Sequence, residues 1–207
     1  MPLWGNAHAS ATNKPKFLPA DEDSNYNRAD CYATQSGWVM QAGHASSGNG
    51  NTSADPEVLV ASGGLAGATD TTGLRAPTVT SMRFVKGTTA TTDLTAADST
   101  ARVMVEITWD EAVTVAGSPQ VVVANNNASG GGFGNYTLTY TATGSTANRK
   151  RFTATSQSLG NTDVLTLGGS NISLNSGTIS DTVRGGTAQA ASLVLSGISA
   201  VAVTIAS

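Results

Sequence analysis

Short segments of alternating apolar and polar residues recur from residue 79 to the end of the chain, with turn residues between them. The clearest segment, residues 101–109, carries its apolar side chains on one face: Val103, Val105, Ile107 and Trp109. Arg102, Glu106 and Thr108 point to the other face. Because a period of two is typical of a strand with one buried face, the pattern predicts a β protein.

Further strands are predicted after Ala76 and Pro77, which mark a domain boundary. They are expected at residues 79–85, 113–115, 120–124, 135–141, 151–155, 164–167, 172–174 and 192–205. Turn signals separate the strands by roughly 8–12 residues, a spacing typical of β-sandwiches and β-barrels. No helical periodicity interrupts the series, so we predict one mainly β domain over residues 76–207.

The first 75 residues have little regular periodicity. Residues 6–27 are polar and rich in turn residues and proline, which favours an extended arm. The arm and the residues before it contain four apolar anchor points: Leu3, Trp4, Phe17 and Leu18. Isolated apolar side chains in a polar arm need a surface to bury them, either the chain's own domain or a neighbouring subunit. We therefore predict that these four residues and Trp38 bind a partner.

Two short strand candidates are predicted within the same region. The first runs from residues 31–34 to residues 37–40, and the second covers residues 57–61; with the Gly/Ser/Asn-rich loop 44–53 between them they could form a small hairpin. So small a sheet is marginally stable alone. We predict that residues 1–75 are an extended N-terminal arm with a small irregular β subdomain that anchors the chain. Isolated residues 77–207 are expected to fold, and isolated residues 1–75 to need a partner.

The charge distribution limits the classes of partner. Charged residues make up 12% of the chain and the net charge is −3. The densest basic run, Arg149-Lys150-Arg151, is interpreted as the solvated end of a strand beside a hairpin. Nucleic acid is not an expected partner, because its binding requires a dense basic surface.

Membrane contact is not expected either. No run of residues approaches the roughly 18 apolar residues that a membrane span requires. The start of the chain lacks the basic and then apolar pattern of a secretory signal. We therefore expect a soluble protein that is made in the cytoplasm and carried elsewhere by something other than a signal peptide.

Nucleophilic chemistry has little support in the sequence. Cys31 is the only cysteine, so it forms no intramolecular disulfide, and it would need a histidine base to act as a nucleophile. His8 and His44 lie in Gly/Ser/Asn-rich surroundings without a recognisable signature. We predict that Cys31 is a small buried thiol. The sequence contains no phosphate-binding loop, nucleophile elbow or metal-spaced histidine pair.

Two acidic runs, residues 21–23 and the pair Asp110-Glu111, could supply oxygen ligands to a hard cation. A calcium site needs several converging oxygens, so we interpret both runs as solvated acidic turns. Spacing alone is compatible with paired catalytic carboxylates, but the clefts of glycosidases usually contain many aromatic residues, which here make up 5%. No catalytic, cofactor-binding or metal-binding residue is predicted, and the chain is not expected to be an enzyme.

Three ordered motifs lie between residues 101 and 190. Residues 109–119 read WDEAVTVAGSP, residues 135–140 read NYTLTY, and residues 174–181 read LNSGTISD. Together they resemble a bacterial Ig-like repeat found in adhesins and surface proteins. The resemblance covers a little under half of the chain. It implies an Ig-like β-sandwich and carries no catalytic residues.

The N-terminal region resembles a different group. Its motifs are MPLWGN at residues 1–6, NKPKFL at 13–18, YATQSGWV at 32–39 and PEVLVASGGL at 56–65. They resemble virion structural proteins of tailed phages of marine bacteria. The resemblance implies a protein that leaves the cell inside an assembled particle, which agrees with the missing secretory signal.

These features lead to an expected function. The chain is predicted to be a capsid decoration or cement protein, anchored to the major capsid protein or other virion proteins by its N-terminal region. It would be present in many copies or as a homo-oligomer, with the Ig-like domain displayed and a host-surface glycan as a weak further ligand. Two alternatives stay open, a tail, neck or fibre component and a glycan-binding adhesin module.

Overall fold

The computed structural model of the chain is mainly β, as predicted. It describes residues 30–44, 50–66, 74, 76–86, 89–90, 94–95, 103–126, 134–154, 159–160, 162–181 and 188–206. Fourteen strands lie in these ranges and form three sheets. No helix in the described ranges has the length and apolar character needed to cross a membrane.

The first three strands form a small antiparallel sheet in the order β1-β2-β3. Their bounds are β1 (Cys31–Thr34), β2 (Gly37–Met40) and β3 (Glu57–Ala61). β3 matches the second predicted candidate, whereas the first candidate, residues 31–40, is two strands that pair with each other. Gly37 has φ +128°, and a Cβ at this position would overlap the carbonyl oxygen of Val60, so the turn into β2 requires glycine. One face of the sheet buries a core of Cys31, Ala33, Trp38, Met40, Leu65 and Leu74.

The other eleven strands belong to the large domain. They are β4 (Val79–Lys86), β5 (Thr89–Ala90), β6 (Leu94–Thr95), β7 (Met104–Trp109), β8 (Val113–Ala116), β9 (Gln120–Asn125), β10 (Tyr136–Thr141), β11 (Arg149–Thr153), β12 (Val164–Leu167), β13 (Thr178–Asp181) and β14 (Val201–Ala206). Nine of them form one sheet in the order β5-β4-β7-β11-β10-β9-β12-β14-β6. Its neighbouring strands are antiparallel except β14 and β6, which are parallel.

Alternation along the strands builds the main core. Val105, Ile107 and Trp109 of β7 are fully buried on the inner face, as the period of two predicted. Tyr136 and Leu138 of β10 are buried in the same core. The Trp109 indole N–H donates to the carbonyl oxygen of residue 192 at 3.0 Å, so the largest side chain of the core is also fixed by a hydrogen bond.

The large sheet is nearly barrel-shaped. β4 and β14 lie toward opposite ends of the strand order and still contact each other. Gly168, after β12, has φ +105°, and a Cβ there would overlap the methyl group of Met82 on β4. β8 and β13 form a separate two-stranded sheet, and their residues Val113 and Ile179 join the main core.

Two predicted strands are wrong in part. Residues 172–174 form no strand and make only a bridge between Ser173 and Gln120, and the predicted strand at 192–205 begins only at Val201. Between residues 192 and 200 the backbone bonds to loops, as when the amide of Ile172 donates to the Leu193 carbonyl oxygen, and Leu195 is the one apolar side chain of this stretch that is fully buried. β13 was not predicted as a strand, because it is short and mostly polar.

Candidate functional site at the junction of the sheets

The small sheet meets the large domain just after β7. The amide of Ala33 in β1 donates to the carbonyl oxygen of Asp110 at 2.7 Å, and Ala33 forms a parallel bridge with Glu111. The Asp110 carboxylate accepts a hydrogen bond from the amide of Thr78 at 2.6 Å. Asp110 and Glu111, the two residues after β7, therefore contact both β1 and the start of the large domain at Thr78.

Asp30, directly before β1, forms the ionic part of the junction. Its Oδ1 lies 2.5 Å from Nη2 of Arg149 on β11, and its Oδ2 lies 2.8 Å from Nε2 of His44. Burial alone would raise the pKa of Asp30, but the His44 hydrogen bond and the Arg149 charge outweigh it and lower that pKa below its ordinary value. Asp30 is therefore ionised at neutral pH and is bound to a cation of the large sheet.

Beside Arg149, the outer face of the large sheet buries an arginine cluster, consisting of Arg83, Arg149 and Arg151 around Glu106. Nη2 of Arg83 lies 2.8 Å from Oε2 of Glu106, and Nη2 of Arg151 lies 2.7 Å from Oε1. Arg149 Nε lies 3.7 Å from Oε2 and donates to Thr108 Oγ1 at 3.1 Å. The register produces this geometry, because Glu106 is opposite Arg83 on one side and Arg151 on the other.

The interpretation of Arg149-Lys150-Arg151 as a solvated strand end is wrong, since the three residues are only 7–8% exposed. Arg149 and Arg151 lie on the outer face in the arginine cluster, whereas Lys150 is opposite Ile107 on the inner face. Lys150 Nζ donates to the Thr146 carbonyl oxygen at 2.6 Å, and burial lowers the pKa of Lys150 to about 8. Each of the three cations therefore has its own partner in the protein.

The interpretation of Asp110 and Glu111 as a solvated turn is also wrong, because both are buried. Oε1 of Glu111 has no hydrogen-bond partner in the part of the chain that the structure describes. Burial, followed by the charges of Asp110 and Asp181, raises the pKa of Glu111 to about 8. Glu111 therefore keeps its proton at neutral pH, and a protonated carboxyl is a poor cation ligand. Within the described ranges, no group of three or more His, Cys, Asp or Glu could hold a metal ion.

A cleft of about 280 Å³ opens beside the junction. Its lining residues are Asp30, Gln41, Ala42, Gly43, His44, Thr146 and Asn148. The pairing of His44 with Asp30 is of the kind that orients a general base, but here the carboxylate also binds Arg149. Asn148 is likewise engaged, since its Nδ2 donates to the Trp109 carbonyl oxygen at 3.1 Å. The polar groups of the cleft thus join one part of the protein to another, which favours a structural role.

Most of the predicted anchor lies outside the described residues. This holds for Leu3, Trp4, Phe17 and Leu18, and also for His8 and the acidic residues 21–23. Trp38 lies on β2 and is 4% exposed in the core of the small sheet. Its indole is therefore enclosed by the sheet, and a partner would meet the outside of that sheet. Cys31 is a buried thiol, as predicted.

Sequence reasoning missed Asp30, His44 and Glu106 as members of the junction. A signal for Glu106 was present, because it is the only acidic residue in the alternating segment 101–109 that precedes the basic triplet. Using that signal required knowing that β7 and β11 are neighbours in the sheet. Asp30 and His44 have no comparable signal, since Asp30 contacts Arg149 in a distant part of the chain and His44 joins the junction through Asp30.

No protein-family model, no curated protein and no solved structure matches this chain.

Proposed function

We propose that the chain is a non-catalytic structural protein of a phage virion, acting as a capsid decoration or cement protein. The N-terminal region anchors it to the major capsid protein or to another virion protein. The large β domain is displayed outward, and many copies decorate each particle. The protein is made in the host cytoplasm, resides in the virion and uses no cofactor.

The observation that carries this proposal is the joint between the small sheet and the large domain. A decoration protein holds its displayed domain in place only if the connection to its anchor is stiff. Here the connection combines the backbone hydrogen bond from Ala33 to Asp110 with the buried ion pair of Asp30 and Arg149. Arg149 also belongs to the arginine cluster, so the small sheet is tied to three strands of the large sheet.

The sequence motifs support the same assignment independently of the junction. The motifs that resemble virion proteins of tailed phages extend over β1, β2 and β3, which are the strands nearest in sequence to the predicted arm. Those that resemble the Ig-like repeat lie in the large domain. The boundary between the two resemblances therefore falls between the two structural parts that the junction connects.

We further propose that residues 76–207 are a variant of the Ig-like β-sandwich. Two sheets, antiparallel except at β14 and β6, share one core in this region, as layers of a sandwich do. The motif at residues 109–119 includes β8, and the motif at residues 174–181 ends in β13. β8 and β13 pair with each other, from Val113 opposite Asp181 to Ala116 opposite Thr178. Two separate parts of the resemblance are thus neighbours in space.

Cryo-electron microscopy of intact particles of the phage that encodes the chain tests the assignment. We expect density for the large β domain at symmetry-related positions on the capsid surface, with the small sheet at its base. Because the joint is stiff, averaging should resolve individual strands of the displayed domain. A particle lacking the gene is the matched control and should lose only this density.

Two other results would reject part or all of the proposal. Density found only on the tail would reject the capsid assignment in favour of a tail, neck or fibre component. Purified particles from which the chain is absent, as judged by mass spectrometry, would reject any virion role.

A further inference from the structure

β4 carries buried side chains on the outer face of the large sheet. Arg83 lies opposite Glu106 in the pairing of β4 with β7. Val85, two residues later, lies on the same outer face because side chains alternate along a strand. The Arg83 side chain is 13% exposed and Val85 is 1% exposed, and within the described ranges neither core includes Val85. Antiparallel sheets commonly leave such a face to solvent, so burial here indicates a segment that lies over the sheet.

The junction indicates where a covering segment would enter this face. Asp30 binds Arg149 on β11, at one side of the arginine cluster. β7 lies between β11 and β4, so β4 is two strand spacings, about 10 Å, from β11. The residues that lead into Asp30, residues 1–29, are outside the described ranges. Their point of attachment to the described chain is therefore at the side of the covered face.

The charge of the arginine cluster favours an acidic cover. Its three guanidinium groups face two described carboxylates, those of Glu106 and Asp30, so the described part of this face has one positive charge in excess. Buried charge is costly unless an opposite charge lies close to it. Residues 21–29 contain the three carboxylates of Asp21-Glu22-Asp23 and one arginine, Arg28, and therefore have a net charge of −2.

We propose that residues 17–29 lie across the outer face of β7 and β4 of the same chain, with the acidic run Asp21-Glu22-Asp23 on the arginine cluster. Asp23 and Asp30 are seven residues apart, and seven extended residues span up to about 23 Å, well beyond the distance to β4. Carboxylates bind guanidinium groups by short, charge-assisted hydrogen bonds. The acidic run then acts as a counter-charge for the buried arginines.

The same path accounts for the burial of Val85. Arg83 and Val85 are about 7 Å apart along β4. The apolar pair Phe17-Leu18 ends three residues before Asp21, so an arm that places Asp21 at Arg83 brings this pair over Val85. The order of apolar and acidic residues in the arm thus matches the order of Val85 and Arg83 on the strand. The docking leaves the start of the arm available to a partner and does not require the virion role proposed above.

A nitroxide label on the full-length chain tests the docking by nuclear magnetic resonance. Cys31 is fully buried and can be left in place, so the label is attached at Asn25→Cys. We expect the amide signals of Arg83 and Glu106 to lose most of their intensity, because the labelled segment lies over them. The signals of β9 and β12, on the other side of the barrel-like sheet, should keep theirs.

Neutralising the acidic run tests whether its charge holds the segment in place. Adding Asp21→Asn/Glu22→Gln/Asp23→Asn to the labelled chain should restore the intensity at Arg83, because the carboxylates no longer attract the arginine cluster. Asp55→Asn/Glu57→Gln, at two exposed carboxylates, is the matched control and should leave the loss of intensity as it was. Unchanged chemical shifts of β9 and β12 verify that each variant is folded.

Three outcomes would overturn the proposal. Full intensity at Arg83 and Glu106 in the labelled chain would show that the segment lies elsewhere. A loss of intensity that survives the neutralisation would reject the pairing of the acidic run with the arginine cluster. In a mixture of isotope-labelled chain without nitroxide and unlabelled chain with nitroxide, a loss at Arg83 would show that the arm of a neighbouring copy covers this face.

Discussion

The small sheet and the large domain are stabilised by different means. The core of the small sheet has six buried residues, whereas that of the large domain has 24 among the described residues. Three short strands over so small a core are marginally stable by themselves. We therefore expect the small sheet to depend on its contacts with the large domain, and the large domain to fold by itself. The comparison predicts that the large domain stays folded when the small sheet opens, and that the small sheet unfolds when the large domain does.

Truncation of the largest side chain in each core is the strongest test of this asymmetry. Trp109→Ala should lower the free energy of unfolding of the whole protein by about 3–5 kcal/mol, because it leaves a large cavity in the main core. Trp38→Ala removes a similar volume from the small core. We expect it to open β1, β2 and β3 locally while the large domain stays folded. Hydrogen exchange, read separately for β2 and β7, together with urea unfolding distinguishes the two results.

Equal loss of protection in β2 and β7 after Trp38→Ala would show that the protein unfolds as one unit. In that case the junction would couple the small sheet and the large domain so strongly that they unfold together despite their separate cores. Survival of β2 protection after Trp38→Ala would instead show that the junction alone holds the small sheet.

The comparison also explains which parts of the fold the sequence could predict. β7 and β10 were predictable because alternation is a local property, and the apolar residues Val105, Ile107 and Trp109 of β7 are buried as it predicts. The curl of the large sheet was not, because it depends on the contact of β4 with β14, which are separated by more than a hundred residues. Strand order is set by such distant contacts and leaves little trace in a single sequence.

Removal of the ionic contact at the junction should have the next largest effect. Asp30→Asn leaves Arg149 buried without its carboxylate partner, although Thr108 and Glu106 still contact the guanidinium. We expect a loss of about 2–3 kcal/mol at pH 7 in urea unfolding, with the protection of β1 falling first. Asp55→Asn, at an exposed aspartate of the same region, is the control and should change the stability very little.

The effect of Asp30→Asn should depend on pH in a definite direction. Because the folded protein lowers the pKa of Asp30 below its ordinary value of 3.8, its contribution to stability is present above that value. The contribution is lost as the pH falls through the folded-state pKa. The difference between wild type and variant should therefore shrink in acid, and a difference that stays constant down to pH 2 would contradict the ionic role of Asp30.

The junction could be predicted from the sequence only in fragments. Glu106 and the basic triplet were visible as charges, but both were expected to face solvent. Alternation indicates which residues share a face of a strand, but it does not indicate whether another part of the chain covers that face. Here Asp30 contacts the charged face at Arg149, and His44 binds Asp30 and lines the cleft with it, so residues from the first part of the chain cover a face of the second.

Substitution of Glu111 is expected to have the smallest effect on stability. The contribution of Glu111 changes with pH in the direction opposite to that of Asp30. Burial, followed by the nearby carboxylates of Asp110 and Asp181, raises the pKa of Glu111 in the folded protein from an ordinary 4.5 to about 8. Its contribution to stability is complete below pH 4.5 and is lost as the pH rises to about 8, because the unfolded chain releases this proton first. Glu111→Gln, which imitates the protonated form at every pH, should abolish this loss.

The unfolding free energies of wild type and Glu111→Gln should therefore agree near pH 4 and diverge as the pH rises. We expect the variant to be more stable by about 2 kcal/mol at pH 6, with a divergence no steeper than about 1.4 kcal/mol per pH unit, the limit for one proton. Glu57→Gln, at an exposed carboxylate, is the control and should follow the wild type throughout. Parallel curves for the wild type and Glu111→Gln would mean that the carboxyl ionises in the folded protein as it does in the unfolded chain, and the pH dependence attributed to Glu111 would then be absent.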